Sequence, residues 1–529
     1  MTNLIAVFIS VYLNGPIAQA ASVPNSQGEV AAASGLIEML SAGRDDPSGV
    51  DWKAAEESPA GDSDVQTTVV TEEPVPAVHL EDGVPWTPPD YSNQENALGY
   101  RLEEFQVTEG LKERVQFWVD IYTKFTSSQG VLHDGDNINL IYETLDFTAL
   151  TNNPALSDRD KYRLRKKMVN DAKKDIVARL KRLQKVKSAD ELEGDDLRYW
   201  NLFEKVTEKN KFQEAAKRNR LRFQLGQRDF FTKGIYYSGR YLKEMERIFR
   251  EEGAPVQLTR LPFVESSFNI YARSKVGASG IWQFMRGTGR RFMKVGYIVD
   301  ERNDPLVATR AAARMMKQNF QLLESWPLAI TAYNHGPSGV ARVSKKCKSK
   351  DICEIIDKGE ARRFGFASKN FYASFLAAVE VEGHASQYLG VVKRAPEIQY
   401  ETAQLIKPMN FRALIKVFDG NQELAELFNP HFTQSVRSGY SAMPRGAVVR
   451  VPANRTDALM QAMNASPNER LPAMIVSERE TVYRILSGDT LSGISVMFGV
   501  PVQRILDAND VDPRRLRPGQ KLVIPVAKD

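Results

Sequence analysis

The sequence predicts a mainly α chain of several folding units, closed by one small α+β unit of order βααβ. Three observations predict this. The 529 residues leave room for three to five units at about 100–200 residues each. Apolar residues recur at helical spacing through most of the chain after Tyr100. Residues 480–527 set two strand-like runs around two short helical ones. A hydrophobic fraction of 42% and a charged fraction of 26% are those of a globular protein, and the single apolar run at the N-terminus excludes a multi-span membrane protein. The net charge of +5 conceals an uneven spread, because residues 22–98 hold fifteen Asp and Glu against two basic side chains. The remainder is therefore basic, as a partner of anionic polymers would be. Five His, at 79, 133, 335, 384 and 431, and two Cys, Cys347 and Cys353, show no zinc-ligand spacing, so no metal is expected.

Taken in order, Leu4 to Leu13 is an apolar run too short to span a bilayer, and Ala18-Gln19-Ala20 follows as an A-x-A cleavage site. Residues 1–20 are read as a signal peptide, although no basic residue precedes the run, and the mature protein as exported. No cysteine follows the run to carry a lipid, so no lipid anchor is expected. In an oxidising compartment Cys347 and Cys353 become a disulfide candidate closing a small loop. Residues 21–98, rich in Ala, Ser, Pro, Asp and Glu and ending in Val84-Pro85-Trp86-Thr87-Pro88-Pro89, are read as a disordered acidic linker.

Residues 99–225 are read as a helical N-terminal domain. Val115, Trp118, Val119, Tyr122 and Phe125 fall at helical spacing, and a Lys/Arg-rich helix runs from Ser157 to Leu183. Its basic run Arg163-Leu164-Arg165-Lys166-Lys167 is assigned to a solvated face, since no groove-reading motif accompanies it and no nucleic-acid partner is expected. His133-Asp134-Gly135-Asp136-Asn137 lacks the spaced acids and distal Glu of a calcium loop and reads as a turn.

Residues 226–395 carry the chemistry. Gly253 ends an amphipathic helix, and Leu258 to Phe263 is an apolar stretch that delivers Glu265 directly after Val264. A carboxyl beside apolar neighbours is partly desolvated, which raises its pKa toward that of a general acid. The small residues Ser274 to Gly280 let a ligand approach the backbone. In Ile281-Trp282-Gln283-Phe284-Met285, Gln283 offers a donor and an acceptor to a sugar acetamido group, with Trp282 and Met285 as apolar surface. A later helix starts at Trp326-Pro327 and ends at Tyr333-Asn334-His335-Gly336-Pro337, presenting polar groups to a cleft. Taken singly, each of these residues also fits an ordinary core position.

Glu265-Ser266-Ser267-Phe268, Gly280-Ile281-Trp282-Gln283-Phe284-Met285 and Ala332-Tyr333-Asn334-His335-Gly336, in this order, closely resemble the motifs of lytic transglycosylases with a goose-type-lysozyme-like domain. Within them the stretch resembles the membrane-bound transglycosylase D group, whose members also carry C-terminal LysM modules. The resemblance implies a lysozyme-like α-helical catalytic domain. It makes Glu265 the single catalytic acid, and places Ser274, Gln283, Met285, Tyr333 and Asn334 along the sugar site. Where the family commonly has Glu-Thr-Arg-x-Tyr, this chain has Ser368-Lys369-Asn370-Phe371-Tyr372, keeping the tyrosine, so Tyr372 is retained as a substrate-binding residue. The implied reaction cleaves the MurNAc-GlcNAc bond of peptidoglycan without water and needs no cofactor. Glu380 and Glu382 are conceivable second carboxylates for hydrolysis, but an apolar helical segment surrounds them and structural roles are expected.

Residues 480–527 are similar to a LysM module, matching at Ser487-Gly488-Asp489-Thr490-Leu491, at Asn509 and at the ending Pro518-Gly519-Gln520-Lys521-Leu522-Val523-Ile524-Pro525. Such modules bind N-acetylglucosamine-containing glycans, which makes Gly488, Asp489, Thr490, Leu491, Asn509 and Asp510 the glycan-binding candidates. Leu491, Ile494, Ile505 and Leu506 also read as its core. Residues 396–455 repeat the plan without the Ser-Gly-Asp-Thr-Leu turn, as a degenerate LysM-like segment expected to pack against the catalytic domain. Together these readings describe a monomeric, exported enzyme acting on peptidoglycan strands in the periplasm of a Gram-negative bacterium. The alternatives are a hydrolytic muramidase using the same cleft and a non-catalytic wall-binding protein.

Overall fold

The computed structural model describes residues 84–85, 105–274, 276–359 and 364–465, and toward the end 479–485, 490–498, 500–509, 511, 516–517 and 519–526. The signal-peptide segment, nearly all of the acidic linker, and Gly488, Asp489 and Asp510 lie outside the described residues. The one described part of the linker, Val84–Pro85, pairs antiparallel with Lys393–Arg394.

The chain from Phe105 to Leu225 is not purely helical, as the periodicity predicted. After α1 (Lys112–Thr123), β1 (Gln129–Asp134) and β2 (Ile141–Asp146) form an antiparallel pair; α2 (Asp158–Leu183) follows, and β3 (Leu221–Leu225) returns to the other edge of β1. The central strand is buried on both faces, with Val131 in the main core and Leu132 in a second core beneath α2. It therefore shows no alternation of apolar and polar residues, and nothing in its sequence separates it from a buried helix. Helix α2 begins where the Ser157 hydroxyl accepts the Asp160 N–H at 3.2 Å, and buries Val169, Ile176, Leu180 and Leu183 along one stripe, leaving Arg163, Lys166 and Lys167 exposed. The Asp134 turn is closed by its own carboxylate, which accepts the N–H groups of Asp136 and Asn137 and a buried ion pair from Arg220 at 2.9 Å.

The main core is helical. It is built by α3 (Arg228–Ser238), α4 (Leu242–Glu251), α5 (Leu261–Glu265), α6 (Pro305–Leu323), α7 (Trp326–His335), α8 (Pro337–Cys347), α9 (Ile352–Lys358) and α10 (Phe366–Gly383). Helix α10 is buried along most of its length, and α1 packs against it, so the first described helix shares its core with this unit. Among the described residues no helix is long and apolar enough to cross a membrane.

Two βααβ units follow. In the first, β4 (Tyr400–Gln404) pairs antiparallel with β5 (Val448–Pro452) around α11 (Phe411–Val417) and α12 (Gln422–Phe428), with one further helical turn at Gln434–Arg437 before β5. In the second, β6 (Arg479–Arg484) pairs with β7 (Lys521–Val526) around α13 (Leu491–Phe498) and α14 (Val502–Asp507). The first unit is latched to the helical core through Arg450, whose guanidinium donates to Asp304 at 2.6 and 3.1 Å while the same carboxylate caps α6. Burial opposes the charge on Asp304, but Arg450 and His431 outweigh it and hold its carboxyl far below the usual range.

Candidate active site

Glu265 ends α5, a five-residue helix whose other four members, Leu261, Pro262, Phe263 and Val264, are all buried. The helix stops because the N–H groups of Ser266 and Phe268 both return to the Pro262 carbonyl, with Ser267 and Phe268 in the left-handed region at φ 50° and 59°. Such conformations cost non-glycine residues about 1–2 kcal/mol each and persist only where packing over-determines them. Here the Phe268 ring meets Phe263 edge-on at 4.7 Å, and the Ser266 hydroxyl donates to the Ile281 carbonyl at 2.9 Å. The turn that sets Glu265 is thereby tied to the second motif.

That motif is a tight loop. Gly280 has φ +76°, and a Cβ there would fall 1.9 Å from the Arg302 carbonyl oxygen, so only glycine fits. Arg302 reaches under the loop and donates to the carbonyls of Gly277 and Phe284 at 2.7 and 3.0 Å. The Trp282 indole is fully buried against Phe249 and bonded to the Thr309 hydroxyl, so it holds the loop down and offers no surface to a sugar. Gln283, itself at φ 46°, spends its amide N–H groups on the carbonyls of Ala272 and Gly280 at 3.0 and 2.7 Å. The donor expected of it is committed, and its Oε1 is buried and without a partner. The Ser274 hydroxyl accepts the Ala278 N–H at 2.9 Å and shapes the loop, while Met285 stays 36% exposed beside it.

Tyr333 on α7 donates its hydroxyl to the Trp282 carbonyl at 2.6 Å and stacks on Phe371 of α10 at 6.4 Å. Burial first, and then the charge of Glu265, raise its pKa well above the ordinary phenol value. Tyr122 of α1 is raised by the same two causes, against a hydrogen bond to the Ser374 carbonyl. The charge of Glu265 thus acts on two phenols that stay protonated. Tyr122 was read from sequence only as a core position in a separate domain; no local motif marks it, because a helix far upstream brings it here. Asn334 accepts from the Ser368 hydroxyl at 3.2 Å, and His335 Nδ1 lies 3.1 Å from the same oxygen, so Ser368, on the first turn of α10, ties that helix to the end of α7. Tyr372, next to Phe371, is only 2% exposed.

The other carboxylates are occupied. Glu382 is fully buried, receives Arg260 Nε at 2.9 Å and is paired with Arg394, and Glu380 accepts the Tyr388 hydroxyl at 3.0 Å. Both have the structural roles expected of them. The cysteines are free thiols and form no disulfide: Cys353, on the first turn of α9, puts its sulfur 3.4 Å from the Thr108 hydroxyl, a contact that draws it toward the segment before α1.

In the second βααβ unit Thr490 caps α13, its hydroxyl accepting the Gly493 N–H, and Leu491 is core at 4% exposure. Asn509 has a different task from the one read from sequence. Its amide donates to the carbonyls of Ile505 and Val523 at 2.7 and 2.6 Å and accepts the Val523 N–H at 2.7 Å, clamping α14 to β7.

A curated relative, membrane-bound lytic murein transglycosylase D of Escherichia coli strain K12, is 27% identical over 289 residues, covering 52% of this chain and 61% of the relative. The chain therefore spans less than two thirds of the length of that relative. Among solved structures, the 70 kDa soluble lytic transglycosylase of Escherichia coli is similar over 46% of this chain and 38% of its own, at 21% identity and a TM-score of 0.21. The chain carries a transglycosylase SLT domain at residues 245–356, which holds Glu265, the Gly280 loop and Tyr333, and a LysM domain at residues 483–525.

Proposed function

We propose that the protein is a peptidoglycan lytic transglycosylase, exported to the periplasm and held on the glycan by its LysM module. One observation carries this: inside a transglycosylase SLT domain, Glu265 ends a buried helical turn that is tied to the Gly280 loop, while Glu382 is locked between two arginines. A two-carboxylate glycosidase needs a second placed acid. With one, Glu265 as the acid protonates the glycosidic oxygen of a MurNAc-GlcNAc bond, and the C1–O bond breaks to free the GlcNAc hydroxyl. The substrate's N-acetyl oxygen closes on C1 and carries the positive charge. The Glu265 carboxylate then removes the O6 proton, O6 attacks C1, and the N-acetyl oxygen is released. The product is a 1,6-anhydro ring, with no water consumed and Glu265 returned to its acid form. Tyr122 and Tyr333, whose hydroxyls are held by the Ser374 and Trp282 carbonyls, stay neutral under the charge of Glu265 and add no negative charge to the site between the two proton transfers. Gln283 Oε1, Ser274, Met285, Asn334 and Tyr372 are assigned to sugar binding.

The unit at 400–452 is assigned as a LysM relative turned to packing. Its Asn429 donates to the carbonyls of Ala425 and Arg450 and accepts the Arg450 N–H, the same helix-to-strand clamp that Asn509 makes. Its Arg450 side chain is spent on Asp304 of the helical unit. Digestion of purified peptidoglycan by the native protein and by Glu265→Gln, read by mass spectrometry, tests the reaction. Anhydro-muramyl products lost in the variant support it; reducing-end products assign a hydrolase, and sacculus binding with no product from either protein assigns a wall-binding protein.

A further inference from the structure

Between the helical unit and the first βααβ unit lies a cavity of about 290 Å³ that no step above uses. Arg240, Tyr241 and Glu244, around the start of α4, form one wall, and Glu397, Tyr400 and Arg450 form the other. Two donors at this cavity are orphaned. Tyr241 is 6% exposed and its hydroxyl has no partner; Arg240, whose guanidinium lies 5.2 Å from the Tyr237 ring, has a buried Nε–H with none. Buried polar groups are nearly always paired, so two adjacent orphans lining one cavity mark a place for an acceptor from outside. Two carboxylates line the same cavity. Glu244 and Glu397 are bonded on the outside to Arg247 and Lys243, and a carboxylate has lone pairs for more than one donor.

We propose that this cavity binds a zwitterionic peptide, with its carboxylate on Arg240 and Tyr241 and its ammonium on Glu244 and Glu397. Given the function proposed above, on which this assignment rests, the peptide is the stem carried by the muramic acid of the same polymer, which bears both groups. At about 290 Å³ the cavity lies at the small end of ligand pockets, the scale of a short peptide segment, and its paired charges of both signs favour a zwitterion over a neutral sugar. Because its walls come from two units, the Arg450 to Asp304 latch doubles as the support of the site.

The test is calorimetric titration of the whole chain with the free tripeptide L-alanyl-γ-D-glutamyl-meso-diaminopimelate, on the native protein, Tyr241→Phe and Arg240→Gln. Circular dichroism establishes that each variant is folded. The native protein should bind saturably, Tyr241→Phe about 5-fold more weakly and Arg240→Gln about 30-fold, as loss of a neutral and of a charged donor would give. In parallel, both variants should cleave stem-bearing peptidoglycan more slowly and strands stripped of stems at the native rate. Undiminished binding in both folded variants, or equal slowing on both substrates, would overturn the proposal. So would free lysine or glutamate binding as tightly as the tripeptide. If the native protein cleaves neither substrate yet binds the tripeptide through these residues, the cavity assignment stands and the transglycosylase reading falls.

Discussion

Replacing Glu382 by Gln separates a structural carboxylate from a chemical one. Glu382 is fully buried between Arg260, itself 2% exposed, and Arg394, and Arg260 also reaches Glu246 at 2.5 Å and the Thr259 hydroxyl at 2.9 Å. The glutamine keeps the shape and removes the charge, so both arginines lose the ion pair they share here, and Arg260 keeps its pair with Glu246. Breaking a buried pair in this way costs about 3–5 kcal/mol, a large part of the roughly 5–15 kcal/mol that stabilises a domain. The amide keeps one acceptor oxygen for one arginine and turns its NH2 toward the donor of the other, so the expected loss lies inside that range, about 4 kcal/mol. Urea unfolding followed by fluorescence of the buried Trp282 and Trp326 reads it, and initial rates on peptidoglycan in the cold, where the variant is folded, should stay within about twofold of native. The pH dependence has a definite sign. Burial pushes the Glu382 carboxyl up, but Arg260 and then Arg394 outweigh it and hold the group below its ordinary 4.5. The unfolded chain therefore binds the proton first as pH falls. The native protein keeps the full contribution above pH 4.5 and loses it through the folded pKa below, and the variant lacks that acid-side loss. An unchanged unfolding midpoint with cleavage abolished would refute this and make Glu382 a second catalytic carboxylate.

Gly280→Ala places a methyl 1.9 Å from a backbone oxygen at a φ of +76°, and should cost at least about 3 kcal/mol with loss of cleavage; thermal melting and native-like activity would contradict it. His133 is fully buried, and burial lowers its pKa from 6.5 to about 3, so it stays neutral in the fold while the unfolded chain protonates it. Stability therefore falls as pH drops from 6.5 toward 3, by up to about 1.4 kcal/mol per pH unit, and His133→Leu should flatten that part of the curve in melts across pH. Asn509→Ala removes three hydrogen bonds and strands both polar groups of Val523, which predicts loss of about 2–3 kcal/mol from the LysM module and of sacculus binding, with solubilised glycan still cleaved. A pull-down on sacculi beside a digest of soluble strands checks both halves.

Much of this was legible in the residues because the signals were local. The apolar run ending at Glu265, the Pro327 to Gly336 limits of α7 and the βααβ order of the last unit each follow from a few neighbouring side chains, and the structure has them where the spacing put them. What stayed hidden depends on residues far apart. The sheet of β1, β2 and β3 went unread because its central strand is buried on both faces and carries no period-two pattern. Tyr122 comes under the charge of Glu265 only through the packing of α1 on α10. Trp282 and Gln283 were read as ligand-facing by residue type and Asn509 by resemblance to a LysM module, but each has bonds spent on its own backbone or core, and neither signal reveals where an amide or indole finds its partners.

The most direct measurement is digestion of peptidoglycan in water enriched in heavy oxygen, with mass spectrometry of the new glycan ends. Closure of the ring by the sugar's own O6 predicts anhydro-muramyl ends that carry no heavy oxygen and vanish with Glu265→Gln. New reducing ends carrying one heavy oxygen, or release undiminished in Glu265→Gln, would contradict it.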